Sequence, residues 1–316
     1  MQHPVDLLVI CGPTASGKTR LAVTIARMLH GEIISADSRQ VYRGMDIGTG
    51  KDRSEYRTAS GCIPCHLIDI ADPHDIYTLY HFQKDCYAAL DDIHRRGSLP
   101  ILAGGSGLYI EAVLKKYRIA NVPENVELRT RLIRKEKTRL IDQLAALDPG
   151  LLQATDTSSR KRIVRAIEVA EYGRNHPVHW GNDNAPQMHP LILATRRQRD
   201  DLLARIRLRL HARIKQGMIE EVKQLISAGV TYERLELFGL EYKYIVRFLR
   251  QEYSREEMIE QLCTAINRFA KRQMTWFRGM QRRGFTIHWI DNADEQRALS
   301  ILKQHYPGVN PTPGIS

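Results

Sequence analysis

Through the first third of the chain, short apolar runs alternate with longer stretches in which apolar residues return every three or four positions. Leu7 to Cys11, Glu32 to Ala36, His66 to Ile70 and Leu99 to Ala103 have the length and the Leu/Ile/Val content of strands, while Thr19 to Leu29 and Leu79 to His94 have helical spacing. Strands joined by helices in this way predict a parallel sheet covered on both faces. After Ala103 the rhythm changes. From 106 to 175 only helix-type periodicity is found, broken at Pro123, at Asp148-Pro149-Gly150, and from Gly173 to Pro190. The strand signal returns in Leu191 to Thr195. One long amphipathic segment then runs from Asp200 to Ala228, with Leu202, Ile206, Leu210, Ile214, Met218 and Val222 at helical spacing and Gly229 as its stop. A further helix is predicted over 254–280, Phe285 to Ile290 reads as a last edge strand, and the Pro- and Gly-rich tail Pro307 to Ser316 is expected to fray.

The chain has 316 residues, 43% of them hydrophobic and 26% charged, enough for one large domain or two moderate ones and unlike a disordered or fibrous composition. No run approaches about 18 consecutive apolar residues and the N-terminus shows no secretory pattern, so a cytoplasmic location with no membrane contact is expected. The five cysteines are scattered, which argues against a disulfide framework. The net charge of +11 is localised. Residues 1–114 hold 11 Lys/Arg against 13 Asp/Glu, whereas 115–174 hold 14 against 8 and 196–283 hold 20 against 11. Two basic blocks outside the first third imply a polyanion larger than a nucleotide, with RNA or DNA the natural choice.

The clearest chemical signal is Gly12-Pro13-Thr14-Ala15-Ser16-Gly17-Lys18-Thr19, a G-x-x-x-x-G-K-[ST] loop between a predicted strand and a predicted helix. Its backbone N–H groups can curl round a diphosphate, Lys18 adds charge, and Thr19 offers a hydroxyl to Mg²⁺. ATP, GTP or another organic diphosphate would satisfy the same donors. The fold class that follows is α/β, a P-loop NTPase-like parallel sheet flanked by helices with an all-helical insertion domain. Its expected divisions are 1–114 and 190–316 for the core, the second part with long C-terminal helices, and 115–189 for the insertion. Asp37 falls just past the second strand, on the same sheet edge as the loop, and is placed to face a substrate.

Five runs in order, GPTASGKT from Gly12, SADSRQVYRGMDIGTGK from Ser35, PCHLIDI from Pro64, LAGGSGLYI from Leu102 and FAKRQMTWFR from Phe269, resemble the signatures of the tRNA dimethylallyltransferases, also called tRNA isopentenyltransferases. The resemblance spans nearly the whole chain. It implies transfer of a dimethylallyl group from dimethylallyl diphosphate to N6 of the adenosine 3′ of the anticodon, position 37 of the tRNA, with Mg²⁺ as cofactor. It also implies that Thr14 through Thr19 hold the diphosphate, Thr19 holds Mg²⁺, and Asp37 is the general base. Ser38, Arg39 and Gln40 should then line the RNA beside Asp37, and Arg209, in Arg205-Ile206-x-x-Arg209, should hold the leaving diphosphate. Lys161-Arg162-Ile163-Val164-Arg165, with Ser106 and Arg129, matches positions of RNA contact. A helical insertion gripping the anticodon stem-loop and a monomeric enzyme complete the expectation.

The sequence departs from the family at Cys65, where a first His is usual, and at Gly239-Leu240-Glu241-Tyr242-Lys243, whose role it leaves open. The rival is a P-loop kinase acting on a small molecule or RNA, which would use Asp69 as its magnesium carboxylate. Trp276 could stack on RNA or pack against the core. Cys62-x-x-Cys65-His66 spells a haem-attachment motif that the cytoplasmic reading disfavours, and Asp91-Asp92 reads as an exposed helix face.

Overall fold

β1 (Leu7–Cys11) is buried at every position, which is why its sequence is an unbroken apolar run and not an alternating one. The computed structural model, which describes residues 5–58 and 61–305, continues with α1 (Lys18–Leu29) and β2 (Glu32–Ser35). A short antiparallel ribbon of β3 (Arg57–Thr58) and β4 (Gly61–Cys62) precedes β5 (Cys65–His66), α2 (Leu79–Arg95), β6 (Pro100–Gly104) and α3 (Gly107–Leu114). Then come α4 (Val126–Ile133), α5 (Lys137–Leu147), α6 (Pro149–Ala154) and α7 (Arg160–Gly173) before the sheet resumes at β7 (Pro190–Arg196). The remainder is α8 (Arg199–Lys215), α9 (Met218–Ser227), α10 (Tyr232–Leu237), α11 (Leu240–Leu249), α12 (Arg255–Arg282), β8 (Ile287–Asp291) and α13 (Glu295–His305).

The main sheet has the order β5-β2-β6-β1-β7-β8 and every pairing is parallel. Val9 stands between Leu102 and Ile192, so β1 is central and all the carboxyl ends lie along one edge. That edge gathers Gly12, Ala36, Gly104 and Thr195. The Ala36 amide donates to Ala103 O at 2.8 Å and the Ser106 amide to Ala36 O at 3.3 Å, which carries the pairing of β2 and β6 past their ends.

Two elements differ from their sequence pattern. The segment 200–228 is two helices and not one, because Gly217 takes φ 101° and turns the chain between α8 and α9. The run His66 to Ile70 is extended only at its start: Leu67 and Asp69 adopt φ of 60° and 57°, and the bend delivers the Asp69 carboxylate to Lys51 and Arg53. The edge strand expected at Phe285 begins two residues later, at Ile287, beside β7. The tail Pro307 to Ser316 lies outside the described residues.

The chain divides into two compact units, 1–116 with 186–316, and 117–185. In the larger, α8, α9, α11 and α12 form a second core about Met218, Val222, Phe238 and Tyr242, against which Val41, Tyr42 and Met45 pack. Among the described residues no helix is long and apolar enough to cross a membrane. The smaller unit is helical, with Leu128, Leu132, Leu140, Leu144, Ile163 and Ile167 inside.

Glu168 is buried in the smaller unit and accepts from the Asn125 amide at 2.6 Å, from Arg129 at 2.8 and 3.0 Å, and from Arg165. Burial opposes its charge, but these donors more than offset it and hold its carboxyl below the usual range. Glu168→Ala should therefore cost about 3 kcal/mol, the penalty of stranding partners of a buried ion pair. Segment-resolved hydrogen exchange should show protection lost within 117–185 while β1 and β6 keep theirs.

Candidate active site

The loop after β1 is held open by its surroundings. Gly12 has φ 152°, and a Cβ there would fall 2.2 Å from Thr195 Oγ1, so only glycine lets β7 approach this closely. Ser16 Oγ donates to Pro13 O at 2.8 Å and shares a 2.6 Å hydrogen bond with Thr195 Oγ1. Ala15 and Gly17 both take left-handed φ, 62° and 96°, which curls the loop into the first turn of α1. Two arginines tie its outer side: Arg197 Nε donates to Ser16 O and Arg205 Nε to Ala15 O, both at 3.1 Å. On the inner side Gln273 of α12 accepts from the Thr14 amide at 2.9 Å and donates to Gly105 O at 2.8 Å. Gln273 thus spans the ends of β1 and β6.

Lys18 Nζ donates to Pro13 O at 3.3 Å. Burial first, and the nearby Arg209 second, push its ammonium down to about 8. The loop therefore presents a cation that lacks an adequate counter-charge.

Opposite the loop a second wall is built from residues 37–51. Asp37 follows β2, its Oδ1 accepting from the Arg39 amide at 2.9 Å, a side-chain turn that fixes the carboxylate. Gln40 accepts from Ser35 Oγ at 2.9 Å and donates to Gly50 O at 3.0 Å. The glycine-rich stretch beyond it is clasped from α9: the Asp46, Ile47 and Gly48 amides donate to the Glu221 carboxylate at 2.8, 2.6 and 3.0 Å, and Tyr242 Oη adds a fourth bond at 2.7 Å. Below it Lys51 is 1% exposed, with its ammonium donating to Tyr42 O and Asp46 Oδ1 at 2.7 Å and to Asp69.

These walls enclose a cavity of about 260 Å³. Thr14, Lys18, Thr19, Asp37, Ser38, Arg39, Gln40, Ser106 and Arg209 all line it, so most of the sequence-derived residues of the larger unit meet at one place. Gly12, Pro13, Ala15, Ser16 and Gly17 shape the loop behind them. An apolar side is supplied by Ile33, Phe238, Leu240, Ile266 and Phe269. Arg213 was not singled out from sequence, whereas Glu241 fell in the Gly239 to Lys243 segment left open, and Phe269 and Gln273 in the FAKRQMTWFR run without a role of their own. Arg213 stands four residues after Arg209 on α8 and so on the same helix face, a spacing that could have revealed it. Glu221 carries no such signal, and Gln273 only its place in the FAKRQMTWFR run.

Other residues singled out from sequence lie elsewhere or are engaged by the fold. Asp69, the kinase reading's magnesium carboxylate, is held by Lys51 and Arg53 and does not line the cavity. In the smaller unit, Ile163 is fully buried and Val164 is 8% exposed, so neither side chain is offered to RNA; both point inward from α7 by its helical period. Arg129 and Arg165 are engaged with Glu168 and Arg162 with Asp156, while Lys161 is exposed. Trp276 packs over Gly107, where a Cβ would fall 2.3 Å from its ring. Asp91 and Asp92 pair with Arg95 on an exposed helix face, and the His66 ring is hydrogen-bonded to Glu32 at 2.7 Å.

The IPP transferase family profile matches residues 40–280, and an isopentenyl transferase profile matches 5–60. The chain is 53% identical over 293 residues to tRNA dimethylallyltransferase 2 of Porphyromonas gingivalis, covering 92% of this chain and 96% of that protein. It resembles the crystal structure of a tRNA isopentenylpyrophosphate transferase from Bacillus halodurans with a TM-score of 0.67 at 32% identity, covering 96% of both chains. A eukaryotic dimethylallyltransferase acting on tRNA shares the fold at 23% identity, with a TM-score of 0.70 over 96% of this chain and 77% of that one. A P-loop loop, an aspartate facing it across one cavity, and similarity running the length of the chain lead to one assignment: the chain belongs to the IPP transferase family.

Proposed function

We propose that this chain transfers a dimethylallyl group from dimethylallyl diphosphate to N6 of the adenosine at position 37 of tRNA, 3′ of the anticodon, releasing diphosphate. The observation that carries the reading is the shared cavity, with Asp37 on one wall and Lys18, Thr19 and Arg209 on another, beside an apolar side suited to a prenyl chain. The names of the relatives support it, since tRNA is the substrate each is named for.

In this reaction the N6 lone pair forms a bond to C1 of the allyl group while the C1–O bond breaks and its electrons leave with the diphosphate. Lys18, Arg209 and the loop N–H groups of Ala15, Gly17 and Lys18 are preorganised where that negative charge grows, which is worth more than a solvated cation because nothing has to reorient. Asp37 takes the N6 proton, assistance worth roughly 10² to 10⁴ in rate. The adenine must leave its stack to reach the cavity, at about a few kcal/mol. Ser38, Arg39, Gln40 and Ser106 stand at the same wall as Asp37 and are assigned to the RNA, although Gln40 also spends its amide on the glycine-rich stretch. Exposed Lys161 and Arg162 are the α7 side chains suited to phosphates.

Mg²⁺ fits this donor set. Among the described residues no three His, Cys, Asp or Glu cluster as an all-protein cage, and the Thr19 hydroxyl is a loop oxygen lining the cavity that suits a cation shared with phosphates. Thr19 would hold it, and when bound it would add positive charge against the leaving group.

Incubating the protein with Mg²⁺, unmodified tRNA and radiolabelled dimethylallyl diphosphate should move label into tRNA, with parallel ATP left intact. ATP turnover without label transfer would favour the kinase reading instead. Asp37→Ala should slow single-turnover transfer by at least ~10² and leave tRNA affinity within a few-fold, because a base contributes to the barrier and little to the ground state.

The depressed Lys18 ammonium gives a pH signature. Below about pH 8 it is charged and meets the anion; above, the free protein must take up a proton to bind. Affinity for dimethylallyl diphosphate without tRNA should be level near pH 7 and weaken by up to about tenfold per unit above pH 8. Lys18→Arg should flatten the profile, and a wild-type profile level to pH 10 would show that Lys18 does not meet the anion.

A further inference from the structure

Arg213 is the cation in this cavity that the reaction described above does not use. It lies one helical turn beyond Arg209 on α8, is only 8% exposed, and lines the space shared with Lys18, Thr19 and Arg209. Its Nε and Nη2 are buried and have no hydrogen-bond partner among the described residues. The guanidinium lies against Gly50, where a Cβ would fall 1.6 Å from Nη2, so no side chain at that position could answer it. Burial, and then the like charge of Arg209, disfavour its ionised form. Buried donors left unsatisfied are uncommon and costly, and two guanidiniums on one helix face repel unless something anionic stands between them.

The nearest acidic groups meet this need only in part. Asp52 Oδ2 pairs with Arg209 and lies 3.7 Å from Arg213 Nη2, too far for a hydrogen bond. Both arginines thus address one carboxylate oxygen. Asp52 is a third exposed, on a left-handed residue with φ 37° where the glycine-rich stretch ends. Glu241 lines the same cavity, but burial pushes its carboxyl up, and Glu55 is likewise raised by burial and by Asp52. Neither gives Arg213 a hydrogen bond.

Resting on the prenyl-transfer reading, we propose that Arg213 is a second diphosphate-binding arginine: it and Arg209 take the donor's diphosphate together, opposite Lys18, and Asp52 is a resident counter-ion that the diphosphate displaces. A diphosphate has the several acceptor oxygens that two guanidiniums require and a single carboxylate oxygen lacks. Asp52 keeps Arg209 neutralised between turnovers and competes with the ligand for it. The two residues therefore act on affinity with opposite signs.

The test is calorimetric titration of the whole chain, without tRNA, by inorganic pyrophosphate and separately by dimethylallyl diphosphate. Arg213→Met should weaken both ligands by roughly tenfold or more, the loss of charge-assisted hydrogen bonds, while the melting temperature of the ligand-free protein holds or rises. Asp52→Asn should tighten both several-fold, and a gain should remain when Arg213→Met is also present, because Arg209 is released in either background. A purely structural role for either residue predicts weaker binding together with a lower melting temperature. The proposal is overturned if Arg213→Met binds like wild type, or if Asp52→Asn weakens binding in a protein of unchanged melting temperature. Wild type that binds neither ligand would remove the prenyl-transfer reading itself, and this role with it.

Discussion

Positive charge that the protein does not fully neutralise is the constraint around which this structure is arranged. Among the described residues Lys18 donates to a carbonyl and forms no ion pair, Arg213 has buried donors without acceptors, and Arg209 leans on one shared aspartate. Such an arrangement is unfavourable by itself, because burial penalises each charge and neighbouring charges repel. It persists because the backbone beneath it is over-determined. The loop conformation is fixed by Thr195, Ser16 and Gly12, contacts made whether or not an anion is present. Stability is thus supplied by the sheet and spent at its edge.

The opposite wall shows the same division. Residues 46–48 offer three consecutive amides to one carboxylate, Glu221, which anchors a glycine-rich stretch that has little side-chain packing of its own. Lys51 closes it from below with two aspartates and a carbonyl. Both are buried polar groups with their partners present, the condition under which such groups define a single conformation and do not merely cost desolvation. Gln273 joins this wall's neighbour, the end of β6, to the P-loop. Asp37 and Lys18 therefore belong to separate loops whose spacing is set by residues of α9 and α12, far away in sequence.

What the sequence made legible follows from that layout. The strands of the parallel sheet announce themselves through continuous apolar runs, and the P-loop through glycine spacing, because both are local consequences of local residues. The Lys18, Asp37 and Arg209 assignments rested on motif resemblance, and the fold brings them to one cavity. The roles of Glu221 and of Gln273, the latter only a letter in a motif run, were not legible: each acts on residues more than 160 positions away, and neither type is unusual in a helix. The break at Gly217 between α8 and α9 was hidden because periodicity survives a tight turn that keeps the apolar stripe in register. Ile163 and Val164 fell to the opposite error. A motif read as a string made contacts of residues whose helical phase sends them into the core.

The same lesson applies to charge. The excess in 115–174 suggested a polyanion, yet in the folded smaller unit Arg129 and Arg165 are consumed by buried Glu168, and Arg165 further caps the Ala120 and Val122 carbonyls. Arg160 caps carbonyls at the end of α4 in the same manner. These arginines hold the helices of the unit together. The solvent-facing positive charge of the same unit sits on Arg131, Arg134, Lys137 and Arg139 around the α4–α5 junction and on Lys161 and Arg162 of α7. Counting basic residues does not separate those that face a carboxylate from those that face solvent. Which arginine faces an anion is decided by whether a buried carboxylate has already claimed it.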